Sequence, residues 1–206
     1  MKVLLLNGSM REKGCTYTAL SEIAKTLEKH SVHTQIVHIG NKPIQDCTAC
    51  MACAKTGYCI FKDDKVNECI DLLKEADGFV VGSPVYYSAP TGAICAFLDR
   101  MFFIKSDKYA YKPAAGIASC RRGGGTASFD RLNKYFTISE MPVVSSQYWN
   151  AVHGNTPEEV QQDLEGLQIM RTIGNNMAWL LKCIDAAKGI VDYPEREAPL
   201  RTNFIR

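Results

Sequence analysis

The chain has 206 residues, 46% hydrophobic and 22% charged, with a formal net charge of +2, as expected of one globular domain with a full core. The near-neutral balance, without a dense Lys/Arg stripe, excludes a nucleic-acid-binding footprint, and no apolar run approaches the ~20 residues of a transmembrane helix. Nine cysteines, an odd number, follow a start (MKVLLLNGSMREKG) too short in its apolar stretch for a signal peptide, which predicts a cytoplasmic protein with ligating or reduced thiols rather than a disulfide framework.

Residues 1–7 form a continuously apolar run ended by Asn7-Gly8-Ser9 and read as a buried strand. Leu20, Ile23, Ala24 and Leu27 predict a helix over 17–29, and alternation predicts a strand over 33–39. A cysteine-rich loop occupies 42–64, followed by a helix over 66–74 and a strand over 78–82. The segment 83–90, with two prolines and two tyrosines, reads as a loop before a helix over 91–104. A strand over 113–120, a glycine loop over 121–125 and a helix to about 138 come next. The fifth strand is expected at 141–145, then an aromatic and polar loop over 146–155. Thr156-Pro157-Glu158-Glu159 predicts the start of one last long helix, with a threonine cap, proline in the first turn and glutamate three residues on. The tail 189–206 reads as extended, suited to packing on another subunit. Five strands alternating with five helices predict a doubly wound five-stranded parallel sheet with helices on both faces.

In such sheets ligands bind outside the carboxyl ends of the strands, where strand order reverses. Three unusual loops converge there. The first, Gly8 to Thr16, opens a helix, so free N–H groups and a positive dipole end suit a phosphate monoester. Ser9, Arg11, Cys15, Thr16 and Thr18 are its candidate contacts. It is neither a Walker A sequence nor G-x-G-x-x-G; a plain strand–helix turn is the bland alternative. The second, with Pro84, Val85, Tyr86, Tyr87 and Ser88, offers a rigid, partly apolar wall for a planar ring. The third, CRRGGGT from Cys120, supplies consecutive amide donors, with Ser119, Arg121, Gly124 and Gly125 as candidates.

GSMREKGCT, SPVYYSAPTG, CRRGGGT and YWNAVHG (148–154) together resemble the flavodoxin-like NAD(P)H-dependent FMN reductases, and specifically their iron–sulfur flavoprotein branch. Met10 and Cys15 depart from that family's phosphate motif, where proline and asparagine stand. The resemblance covers nearly the whole chain. It implies bound FMN, NAD(P)H as co-substrate, a homodimer or homotetramer, and a small-molecule acceptor such as a quinone, nitro or azo compound, or flavin. Tyr86, Trp149 and His153 are the residues expected at the substrate face. No acid–base residue is assigned, because the flavin carries the chemistry. The alternative reading is a ferredoxin-linked electron-transfer protein or redox sensor.

Cys47, Cys50, Cys53 and Cys59 have the spacing C-x2-C-x2-C-x5-C. Four thiolates complete the ligand count of a [4Fe–4S] cluster, and the spacing resembles the compact motif of the iron–sulfur flavoproteins. Zinc, metal-free thiols and a reversible disulfide are the competing readings, zinc sites more often using two separated C-x2-C knuckles. Cys69, Cys95 and Cys183 are expected to be buried packing residues. His30, His33 and His38 are expected at the surface or strand edges.

Overall fold

The computed structural model describes residues 1–104, 108–200, 202 and 204. Its elements in chain order are β1 (Lys2–Asn7), α1 (Cys15–Lys29), β2 (His33–His38), α2 (Ala52–Thr56), α3 (Val66–Glu75), β3 (Gly78–Tyr86), β4 (Ala89–Pro90), α4 (Gly92–Phe102), β5 (Ala114–Cys120), α5 (Gly125–Thr137), β6 (Ala151–His153), α6 (Pro157–Gln162) and α7 (Leu164–Ala187). The sheet runs β2-β1-β3-β5-β6, all parallel, with β4 added antiparallel to β3. From β1 the chain goes to β2 on one side and then crosses to β3 on the other. The carboxyl ends of β1 and β3 therefore diverge and leave a crevice between their loops.

Strand alternation divides the core between the two faces. Leu4, Leu6, Phe79 and Val81 pack under α3, α4 and α5, whereas Val3, Leu5, Val80 and Ile117 pack under α1 and α7. Each of these side chains is fully buried, and each such burial stabilises by about 1.5–3 kcal/mol.

Three expectations about the elements are corrected. The edge strand is not at 141–145: Val143 makes only an isolated bridge to Ala114, and regular pairing resumes at Ala151 against Ala118. Pro142 has no N–H to give a ladder, and the intervening residues loop out towards solvent. Asn150 covers the gap, donating from its side chain to the Gly116 carbonyl that a continuous strand would have satisfied. The segment after 82 is not a plain loop either, because β3 continues to Tyr86 and turns into β4 through Tyr87 and Ser88, both at positive φ. The last helix is two helices. Thr156 caps α6 by accepting from Glu159 N, then Asp163 leaves helical geometry and caps α7 by accepting from Gly166 N.

Cys69 is buried and Cys95 half-buried, but Cys183 is exposed on α7. From 192 to 200 the tail is exposed and without regular structure; 201, 203, 205 and 206 lie outside the described residues. Among the described residues no helix is long and apolar enough to cross a membrane.

Candidate functional site

The loop after β1 is held from beneath. The buried Asn7 side chain accepts from Ser9 N and donates to the Glu12 carbonyl, while Ser9 Oγ accepts from Arg11 N. His38, at the end of β2, donates from Nε2 to the Ser9 carbonyl at 2.7 Å. Gly8 must be glycine: a Cβ there would lie 2.7 Å from Ile94 and 2.8 Å from the Gly82 carbonyl. The chain then enters α1 through Gly14, which has no capping side chain. The first N–H groups of α1 are left for a ligand, with the helix dipole behind them.

Of the candidate phosphate contacts, Thr16 and Thr18 are buried. Thr18 Oγ1 donates back to the Gly14 carbonyl, so its hydroxyl serves the helix rather than the loop's open side. Thr16 Oγ1 lies 2.8 Å from Ser119 Oγ, joining α1 to the end of β5. Cys15 turns its sulfur towards the Gly154 carbonyl, and burial pushes its thiol pKa up. Arg11 is exposed.

The second and third loops meet each other. Gly124, at φ +86°, packs so closely under the β3–β4 hairpin that a Cβ would lie 2.8 Å from Ser88 Cα and Val85 Cγ1. Gly124 also begins α5 without a capping side chain, so a second uncapped helix start opens at the same end of the sheet. Pro84 and Val85 are half-buried in the hairpin, whereas Tyr86 and Tyr87 are exposed. Tyr87 stands fully in solvent at the turn. Beyond the glycine loop lies a 240 Å³ cavity walled by Gly124, Gly125, Tyr148, Trp149, His153 and Asp163, among others. Trp149 packs edge-on against Tyr148 with ring centroids 4.5 Å apart. Arg121 is exposed at the loop, outside that cavity.

The four cysteines of the 42–64 loop line one small cavity with Thr48, Met51, Ile60, Phe61, Arg100 and Phe103. Ala49 and Met51 adopt positive φ between them, which coils the loop about that cavity. Burial, with the neighbouring Cys47, Cys50 and Cys59 sulfurs adding to it, pushes the Cys53 thiol pKa up. Among the described residues no three His, Cys, Asp or Glu side chains come close enough together to hold a single metal ion. The loop therefore presents sulfur donors around one cavity rather than a preformed mononuclear site. The donor set fits an iron–sulfur group on chemistry: four sulfurs and no carboxylate.

The profile of the NADPH-dependent FMN reductases matches residues 1–156. The chain belongs to that family. An iron–sulfur flavoprotein of Methanocaldococcus jannaschii is 28% identical over 192 residues, covering 89% of this chain and 99% of the relative. An NADPH azoreductase of a Bacillus species is 27% identical over 173 residues, covering 82% and 79%. A flavodoxin from the domain Archaea shares the fold with a TM-score of 0.57 at 17% identity, covering 88% of this chain and 99% of that one. The doubly wound parallel sheet is thus flavodoxin-like, and the protein is an oxidoreductase of an FMN-binding family.

In this FMN reductase relative the three loops adjoin at one end of the sheet, as their sequence positions implied. Trp149 and His153 line the neighbouring cavity, whereas Tyr86 is on the hairpin and not among that cavity's walls. Asn7, His38, Asp64, Arg100 and Asp163 were not legible as site residues. Asn7 left one signal, a polar residue closing an apolar run just before Gly-Ser. His38, Asp64 and Arg100 act through partners far away in sequence, which spacing does not reveal, and Asp163 through a break in a helix that reads as continuous.

Proposed function

We propose that this chain, as one flavodoxin-like domain, binds FMN and passes electrons from NAD(P)H to a small-molecule acceptor. The observation that carries the reading is the pair of uncapped helix starts, at Gly14 and Gly124, opening at the switch point of the sheet. The N-terminus of α1, with Ser9 and Arg11, would hold the phosphate. The β3–β4 hairpin and the amides around Gly124 and Gly125 would border the ring, with Trp149 and His153 shaping the side from which substrates approach. Bound FMN supplies the hydride and single-electron chemistry; the protein's part is to orient it and keep one face open.

The coiled cysteine loop favours a fuller version, in which Cys47, Cys50, Cys53 and Cys59 hold a [4Fe–4S] cluster and the acceptor can be a one-electron protein such as a ferredoxin. Support comes from the shared cavity and from several relatives named iron–sulfur flavoprotein. The azoreductase relative keeps a small organic acceptor in play. Anaerobic purification followed by FMN, iron and sulfide analysis tests both parts. About one FMN and four irons per chain supports the fuller reading, FMN without iron supports the simple reductase, and a colourless protein that takes up no FMN rejects both.

A further inference from the structure

The last turn of α4 carries a charge that no flavin contact explains. Arg100 is only 2% exposed, among the largest fully buried side chains of the protein. Its five N–H donors are all engaged. Nη1 donates to Asp64 Oδ2 and to the Gln45 carbonyl at 3.2 Å; Nη2 donates to Asp64 Oδ1 at 3.1 Å and to the Phe61 carbonyl at 3.3 Å. Nε donates to Cys59 Sγ at 3.1 Å. The fork thus grips the cysteine loop at 45, 59, 61 and 64. The Asp64 side chain is 8% exposed, so carboxylate and guanidinium form one buried, bidentate pair.

Two features point beyond a simple staple. A neutral thiol is a weak acceptor, and a buried arginine edge spent on one gains little. A sulfur carrying negative charge makes that same contact a charge-assisted hydrogen bond. Hydrogen bonds to ligand sulfurs are also among the levers that set a cluster's potential. We propose that Arg100 is a positioning residue for the cysteine cavity: its Nε hydrogen bond fixes the Cys59 sulfur and stabilises the more negative redox state of the iron–sulfur group, while Asp64 holds Arg100 in register and offsets its charge. This rests on the cluster reading above.

The test is a redox titration of the anaerobically reconstituted protein with dithionite, followed by the cluster's electron paramagnetic resonance signal. Arg100→Gln combined with Asp64→Asn removes both charges and leaves no buried ion unpaired; it should lower the cluster potential. Asp64→Asn alone keeps the hydrogen bond and leaves the guanidinium uncompensated, so it should raise the potential. A tenfold change in the relative stability of the reduced form corresponds to about 59 mV for one electron, and shifts of that order in opposite directions are expected. The double variant should also lose cluster under a chelator about 10–100-fold faster, as expected when a ligand loses its supporting partner. A purely structural staple would move both variants the same way or neither. Equal potentials in a wild type and variants that all hold a cluster would overturn the inference and leave the cluster reading standing. A wild type that takes up no iron would overturn both.

Discussion

Thr16 and Ser119, 103 positions apart in the chain, place their hydroxyl oxygens 2.8 Å apart in the buried crevice between α1 and β5. This contact locks the start of α1 to the strand that leads into the glycine loop. Thr16→Val alone would strand the Ser119 hydroxyl in the interior and should cost about 1–3 kcal/mol in urea denaturation. Thr16→Val with Ser119→Ala removes both partners and should recover most of that loss. Equal losses in the single and double variants would show that the bond does not couple the two elements.

The glycine loop contains its own control. Gly124 sits at φ +86° under Ser88 and Val85, whereas a Cβ at Gly123 would meet nothing within 4 Å. Gly124→Ala should displace the hairpin and cost about 1–3 kcal/mol, with FMN affinity by equilibrium dialysis falling at least tenfold. Gly123→Ala should leave both measurements near wild type.

His38→Ala removes the donor to the Ser9 carbonyl. The loop after β1 would lose its outer brace while α1 keeps its free N–H groups. FMN affinity should fall about fivefold, the worth of one ordinary hydrogen bond, with riboflavin, which lacks the phosphate, affected less. A variant that binds both flavins as wild type does would place His38 outside the binding machinery.

Burial pushes the Cys69 thiol up to about 12 from an ordinary 9.0, and burial raises Tyr109 and Tyr135 as well. In the unfolded chain these groups release their protons at lower pH than in the folded one. The stability they lend is therefore whole below about pH 9 and declines as pH rises towards the folded values. Urea midpoints should hold to about pH 9 and fall from there to pH 11, and Cys69→Ala should flatten the decline. A midpoint that rises over that interval would contradict this.

Much of the fold was legible because its central strands are buried on both faces. The runs around Leu4–Leu6, Phe79–Val81 and Ala114–Ala118 have no polar interruption, and their spacing leaves room only for crossover helices. The edge strand was misplaced because its pairing depends on Asn150 replacing a backbone partner, which no local pattern announces. Likewise the helix break needs Asp163, whose carboxylate caps α7 and also accepts from His153 N. That the loops after β1, β3 and β5 lie at one end of the sheet followed from the alternation of strands and helices alone. Arg100 reads in sequence as the polar face of an amphipathic helix; only the fold brings Asp64 to it. One helix joins the loop after β1 to the cysteine loop: Thr91, capping α4, donates to the Gly8 carbonyl, and Arg100 lies about 14 Å further along the same axis at 1.5 Å per residue.

The central claim is that this chain is a flavin-dependent oxidoreductase fed by a nicotinamide. Its most direct test is anaerobic addition of NADPH, and separately NADH, to the FMN-loaded protein, followed by absorbance in the flavin band. The account predicts that at least one nicotinamide bleaches that band within turnover times and that a quinone or azo acceptor restores it. A flavin band unchanged by either nicotinamide, in protein that holds FMN at about one per chain, would contradict it.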